Sequence, residues 1–268
     1  MARAKRHYIP GQIWHITHRC HRRGFLLKFA KDRKRWLKWL HAAKKRYGLV
    51  ILNYSVTSNH IHLLVVDDKG RKVIPNSIQL VAGRTGQEYN RRKKRNGAFW
   101  EDRYYATAIE DGDHLLQCMA YIDLNMVRAG VVDHPSRWPF CGYSEIQKPI
   151  RENILIDYDR LQQLSGFDTY NRLTENHKKW VETLLADGDN TRDDKWSRSI
   201  AVGSQGFTAN IKSMMGVSAI GRKIVAGDES YQIREPNISY GNHFESKKSE
   251  IDPQNAYYWE QIYKKSVC

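Results

Sequence analysis

The sequence contains no run approaching the roughly 18 apolar residues that a membrane-spanning helix needs, so no membrane association is expected. Its first residues, Met1–Gly11, are basic and lack the apolar stretch of a secretory signal, which points to the cytoplasm. Cysteine is scarce. Cys20, Cys118, Cys141 and Cys268 stand far apart with no C-x-x-C pair, which argues against a disulfide framework or zinc-finger spacing and fits reduced thiols. There is no internal repeat and no Walker loop. Acidic residues are few in the first half: residues 1–148 carry 28 Lys/Arg against 12 Asp/Glu, whereas residues 149–268 carry 16 against 17. The formal net charge of +15 therefore sits on one part of the chain. A basic field concentrated in this way suits a polyanion, most often nucleic acid. The 8 Trp and 15 Tyr add side chains on which bases can stack.

What is there is organised around Tyr54–Asp67, and above all around His60 and His62. The stretch from His60 to Asp68 reads as a strand, with Leu63–Val66 suited to a buried sheet. Strand side chains alternate, so both imidazoles point to one face, about 6–7 Å apart along the chain. Two such groups on a rigid strand can share a divalent metal ion. Taken alone, an H-x-H pair also fits a strand cap and a packed side chain.

Around this strand the pattern is βαββαβα. Residues 11–18 read as a first strand, followed by the basic loop Arg19–Gly24. Lys31–Tyr47 has the apolar spacing of a helix, with Gly48 as its C-terminal cap. Leu49–Val56 pairs by hairpin logic with the H-x-H strand. Ser77–Lys94 is a second helix with a very basic end, Ala98–Ile109 an aromatic-rich strand, and Asp113–Ala129 a third helix closed by Gly130. This order predicts an α+β, ferredoxin-like sandwich: a four-stranded antiparallel sheet with its main helices on one face. The expected division is residues 8–146 as the functional domain and 147–268 as a mostly helical, partly flexible extension. In the extension, Tyr158–Leu164, Glu175–Leu185 and Thr208–Met215 read as helices, and aromatic Ala256–Lys264 as a short docking helix.

On the third helix Leu115, Met119, Ile122 and Met126 make the core stripe. Tyr121 and Asn125 lie one turn apart on a face outside it. An Asn in mid-helix is mildly unfavourable, so the pair calls for a partner or a function. A phenol and an amide brought over the H-x-H strand would make a three-ligand metal site with a nucleophile beside it. Tyr104 and Tyr105 are rival nucleophiles on a strand without an adjacent amide. His15, His18 and His21 lie near enough to approach the site; His15 is expected as a packed residue and His21 as a DNA contact.

The stretches WHITHRCHRRG (14–24), RYGLVILNYSVTSNHIHLLV (46–65), FWEDRYYATAI (99–109), YIDLNMVRAGVV (121–132) and WPFCGYS (138–144) carry a specific resemblance. In order and spacing the sequence resembles the single-tyrosine HUH transposases of the IS200 type, and within them the REP-associated tyrosine transposases. The resemblance implies that His60, His62 and Asn125 bind Mg²⁺ or Mn²⁺ and that Tyr121 is the nucleophile. It departs from the family pattern at Met126, where Pro is usual, and at Thr57, where Met is common.

The implied activity is cleavage and joining of single-stranded DNA at REP-like hairpins through a 5′-phosphotyrosine, by a monomer at the nucleoid. Candidate DNA contacts are Arg19, Arg22, Arg23 and the run Arg91, Arg92, Lys93, Lys94 and Arg95. Two other readings stay open: a catalytically idle hairpin-binding protein, and a metal-dependent phosphoesterase in which water attacks and Tyr121 is structural.

Overall fold

The structure, a computed structural model, describes residues 9–68, 70, 72–150, 152, 154–188, 193–228 and 230–235. These residues form one compact unit. The aromatic stretch expected as a helix at Ala256–Lys264 lies outside the described residues.

Four strands, β1 (Ile13–Arg19), β2 (Val50–Val56), β3 (His60–Val66) and β4 (Tyr105–Ile109), stand side by side in the order β2-β3-β1-β4, each antiparallel to its neighbour. Helix α1 (Ala30–Tyr47) connects β1 to β2, and α2 (Val73–Lys93) connects β3 to β4. Gly48 takes the left-handed conformation (φ 71°) that ends α1, and its N–H donates to the Lys44 carbonyl at 2.9 Å.

The sheet does not stop at four strands, which corrects the expectation. It has seven, because three short strands of the extension continue it past β4: β5 (Ala201–Gly203), β6 (Lys223–Ala226) and β7 (Tyr231–Arg234). Strand β5 pairs parallel with β4, Ala108 opposite Ala201, and antiparallel with β7. The extension thus covers a sheet edge that would otherwise present unpaired backbone. Strands of three or four residues are too short to produce a readable alternation, so only the helices of this region were legible. Those helices are α6 (Tyr158–Ser165), α7 (Tyr170–Ala186) and α9 (Gln205–Met214).

Two further differences concern the site. Only Tyr105–Ile109 of the expected strand 98–109 is extended in the sheet. Its first part is drawn to α2 instead: Trp100 Nε1 donates to the Ala82 carbonyl at 3.0 Å, and Phe99 packs edge-on against Tyr89. The third helix is interrupted at Leu124, whose ψ is 0°, giving α3 (Asp113–Asp123) and a single turn α4 (Asn125–Arg128).

The break adjoins a buried polar network. Asp123 accepts from Asn53 Nδ2 of β2 at 3.1 Å and faces His177 Nε2 of α7 at 2.9 Å, and Gln147 of α5 (Tyr143–Gln147) holds the other nitrogen of His177 at 3.0 Å. The extension thus anchors the helix that carries Tyr121. Removing His177 leaves a buried carboxylate short of a partner, so His177→Ala is expected to cost about 3–5 kcal/mol of stability in urea titrations. An unchanged midpoint would show that the network does not hold α3.

Among the described residues no helix is long and apolar enough to cross a membrane. Cys20, Cys118 and Cys141 are free and buried. Burial pushes the Cys20 thiol up to about 12 and the other two upward as well, so none is a reactive thiolate.

Candidate active site

Strand register builds one half of the site. Thr17 lies opposite both His62 and Tyr105, Arg19 opposite His60, and His15 opposite Thr107, so all these side chains share one face of the sheet. Helix α3 packs over that face. The Tyr121 ring meets the rings of His62 at 5.7 Å and His15 at 6.0 Å, and Asn125 Nδ2 lies 2.9 Å from His62 Nε2. The His60 and His62 rings are 4.9 Å apart. Residues far apart in the sequence, His60, His62, Tyr121 and Asn125, thus come together.

The other half comes from the extension, and nothing in the sequence pattern announced it. Pairing of β5 with β4 brings the preceding turn, α8 (Lys195–Arg198), against the site. Three backbone carbonyls of this turn and its end serve three side chains of the sheet face. The Trp196 carbonyl takes His15 Nδ1–H at 2.7 Å, the Arg198 carbonyl takes the Tyr105 hydroxyl at 2.5 Å, and the Ser199 carbonyl takes the Thr107 hydroxyl at 2.7 Å. The Trp196 ring itself lies 6.3 Å from Tyr121.

These bonds fix the imidazole tautomers. A carbonyl only accepts, so His15 Nδ1 carries a proton. Burial pushes the His15 pKa down to about 4, against the opposing effect of that backbone bond, so the ring is neutral and its Nε2 is an acceptor. His62 Nδ1, 2.9 Å away, must therefore donate to it, which puts the His62 lone pair on Nε2, facing Asn125. At His60 the logic repeats. Asn59 Nδ2 donates to the Arg23 carbonyl at 3.3 Å, turning its Oδ1 to His60 Nδ1 at 2.6 Å. His60 Nδ1 thus donates, and Nε2 is the acceptor nitrogen.

Both histidines have the outer partners that metal-ligating imidazoles need: the second nitrogen donates and the ligating nitrogen keeps its lone pair. Among the described residues no group of three or more His, Cys, Asp or Glu side chains could hold a metal ion. A third donor must be of another type, and turning the Asn125 amide over presents its oxygen beside His62 Nε2. Two imidazoles and an amide oxygen make a donor set of the kind that can hold a divalent cation.

Tyr121 is buried (5% exposed), and its hydroxyl makes no hydrogen bond to the described residues. The Arg128 guanidinium lies 4.5 Å over its ring and donates to the Tyr121 carbonyl. Arg128 follows Tyr121 by seven residues, two turns on, so helical spacing was the signal that could have found it. The rival tyrosines are differently placed. The Tyr105 hydroxyl is committed to Arg198, and burial pushes its pKa up. Tyr104 is buried, with its ring 6.4 Å from His18. His18 stacks on Trp100 at 4.1 Å and bonds the Asp102 carbonyl at 2.8 Å, whereas His15 is packed, as expected.

A cleft of about 590 Å³ opens beside the histidines. Arg19, Arg23, Arg103 and Arg198 line it together with His60, His62, Glu101, Asp102 and Ser197. A second, more open depression is lined by Arg91, Lys94 and Arg95. Within that run Arg92 is paired with buried Asp32, and Arg95 holds Asn90 and the Ala98 carbonyl. Arg22 is exposed, and Lys93 stands over the Phe29 ring.

Residues 10–125, the stretch that supplies β1 to α3 and Asn125, match the family model described as "Transposase IS200 like". Residues 10–125 are thus similar to an IS200-like transposase domain. Eight solved chains match. One, a REP-associated tyrosine transposase bound to a REP hairpin, is 20% identical with a TM-score of 0.47, over 59% of this chain and 95% of that one. Another, taken to be a transposase, from Deinococcus radiodurans R1, is 16% identical with a TM-score of 0.32, over 41% of this chain and 87% of that one. No curated protein matches the chain.

The tautomer relay is testable. His15→Ala and Asn59→Ala each remove an outer partner of one imidazole, and each is expected to weaken Mn²⁺ binding about 10–100-fold in calorimetry. Unchanged affinity in both would mean that the relay does not serve a metal.

Proposed function

We propose that the protein cleaves and rejoins single-stranded DNA at REP-like hairpins, with Tyr121 as nucleophile and His60, His62 and Asn125 as holders of Mg²⁺ or Mn²⁺. The observation that carries this reading is the convergence of those four side chains, with both imidazoles in the tautomer that leaves Nε2 as ligand. The arginine-lined cleft supports a polyanionic substrate passing beside them.

The Tyr121 oxygen attacks the phosphorus, the bond to the 3′-oxygen breaks, and the strand end leaves as a 3′-hydroxyl. The phosphate stays on the phenol oxygen. The proton lost by the phenol balances the one gained by the leaving oxygen, and the bond retained on tyrosine is available for rejoining. A bound divalent ion supplies charge neutralisation at the phosphate. Around it, this chain's residues orient: Arg19, Arg23 and Arg103 hold the backbone, His15 and Asn59 aim the imidazoles, and Arg128 and Trp196 hold the Tyr121 ring.

One observation favours a second reading, the idle hairpin binder: the Tyr121 hydroxyl is buried and Tyr121 does not line the cleft. Incubation with a labelled single-stranded hairpin and Mn²⁺, followed by denaturing electrophoresis, separates the two. The proposal expects a covalent complex that a chelator abolishes. Tight hairpin binding with neither adduct nor cleavage would establish the binder, and cleavage without an adduct would indicate a hydrolase.

A further inference from the structure

Three non-glycine residues among the described residues have left-handed backbone: Arg22 (φ 52°), Arg23 (φ 57°) and Lys94 (φ 48°). All three are cationic. Such conformations are costly for side chains with a Cβ and cluster where function needs them. Arg23 lines the cleft beside the histidines, and Lys94 lines the depression at the end of α2.

Between these two places stand Phe25 and Phe29, exposed by 66% and 51%, the only aromatic residues among the exposed large hydrophobics of the described residues. Their loop is tied to the body of the protein. Leu27 between them is fully buried, its N–H donates to the Ser58 carbonyl at 2.9 Å, and Arg33 Nη1 donates to the carbonyls of Leu27 and Lys28 at 2.8 and 2.7 Å. The same loop is joined to the site, because the Arg23 carbonyl orients Asn59 and through it His60. At the other end, Lys93 of α2 stands 5.5 Å over the Phe29 ring. Phe29 is also the residue that opens α1, a position where Ser, Thr, Asp or Asn would cap the helix; it makes no capping bond. Its identity is explained neither by burial nor by helix formation.

We infer that Phe25 and Phe29 form a stacking platform for unpaired DNA bases, flanked by Arg22, Arg23, Lys93 and Lys94, along which a single strand runs between the α2 end and the cleft. The chemistry selects this partner. Aromatic faces among cations suit unpaired bases with their phosphates, whereas bases inside a duplex offer no free face. For its ligand the inference rests on the DNA-processing reading above, yet it concerns binding alone.

The test uses the full chain carrying Tyr121→Phe, without divalent metal, and two oligonucleotides: a hairpin with a single-stranded flank and the same stem without it. Fluorescence anisotropy reads affinity, and 2-aminopurine in the flank reads stacking. Combining Phe25→Ala with Phe29→Ala is expected to weaken binding of the flanked hairpin about 100-fold, about tenfold per ring, and to abolish the stacking signal. Binding of the bare stem should change by less than about twofold. Combining Phe25→Trp with Phe29→Trp should restore both readouts, which a merely folded-state effect would not do. Equal loss on both oligonucleotides, no loss on either, or a wild-type chain indifferent to the flank overturns the platform. Because no chemistry occurs in this assay, flank-dependent stacking without adduct formation elsewhere would sink the strand-transfer reading and leave the platform standing.

Discussion

Tyr121→Phe is expected to form no covalent protein–DNA complex and to cleave no hairpin, while folding and binding DNA as the wild type does. The substitution removes one oxygen and preserves the ring that Arg128, Trp196, His15 and His62 surround. That oxygen has no hydrogen-bond partner among the described residues, so its loss breaks no bond. Deleting a buried, unsatisfied hydroxyl is neutral or slightly stabilising, within about 1 kcal/mol. A structural tyrosine would produce the opposite pattern, with stability lowered and cleavage retained. Hairpin affinity, adduct yield and urea midpoint, measured on one preparation, separate the two patterns.

The second large effect is expected at the histidines. His60→Ala and His62→Ala each remove one of two imidazole donors, and each should lower Mn²⁺-dependent cleavage by about 10³-fold or more, the equivalent of several kcal/mol of charge stabilisation at the phosphate. They should differ in stability. His62 is buried between His15 and Asn125, so its loss leaves the His15 Nε2 acceptor unpaired in the interior, at a further cost of about 1–3 kcal/mol. At His60 the outer partners, Thr57 and Asn59, belong to a turn that opens on the cleft, where water replaces the lost bond. Cleavage rates, Mn²⁺ calorimetry and urea titrations on the two variants check both halves of this expectation. Equal stability of the two would contradict the relay through His15; undiminished cleavage would remove the histidines from the mechanism.

Much of this architecture is legible in the amino-acid order because its signals are local. Alternation in the sequence marks β1, a continuous apolar run marks β3, helical spacing with a terminal glycine marks α1, and His60 and His62 share a face by strand geometry alone. Tyr121 and Asn125 are one turn apart, and the interruption at Leu124 does not separate them from His62. Other features depended on long-range partners. Asp123 sits in a helix by pattern, yet its role comes from Asn53 and His177. Trp196 lies far along the chain from His15, and no periodicity links a backbone carbonyl there to an imidazole on the first strand. Trp100 and Phe99 carry high strand propensity, but tertiary contacts with α2 overrode it. The basic run 91–95 looked uniform, whereas the fold pairs Arg92 with buried Asp32 and Arg95 with Asn90, and places Arg91, Lys94 and Arg95 along an open depression.

The residue to which DNA becomes attached identifies the nucleophile most directly. The covalent complex formed with a labelled hairpin and Mn²⁺, trimmed with nuclease and digested with protease, can be mapped by tandem mass spectrometry. A nucleotide phosphate on Tyr121, in the peptide between Arg103 and Arg128, is the predicted result, with the phosphate bound through its 5′ side. The same peptide contains Tyr104 and Tyr105, so fragment ions locate the attachment among the three. Modification of Tyr104 or Tyr105 with Tyr121 unmodified would contradict the assignment of the nucleophile, and a hairpin cleaved with no nucleotide on any tyrosine would contradict the covalent mechanism itself.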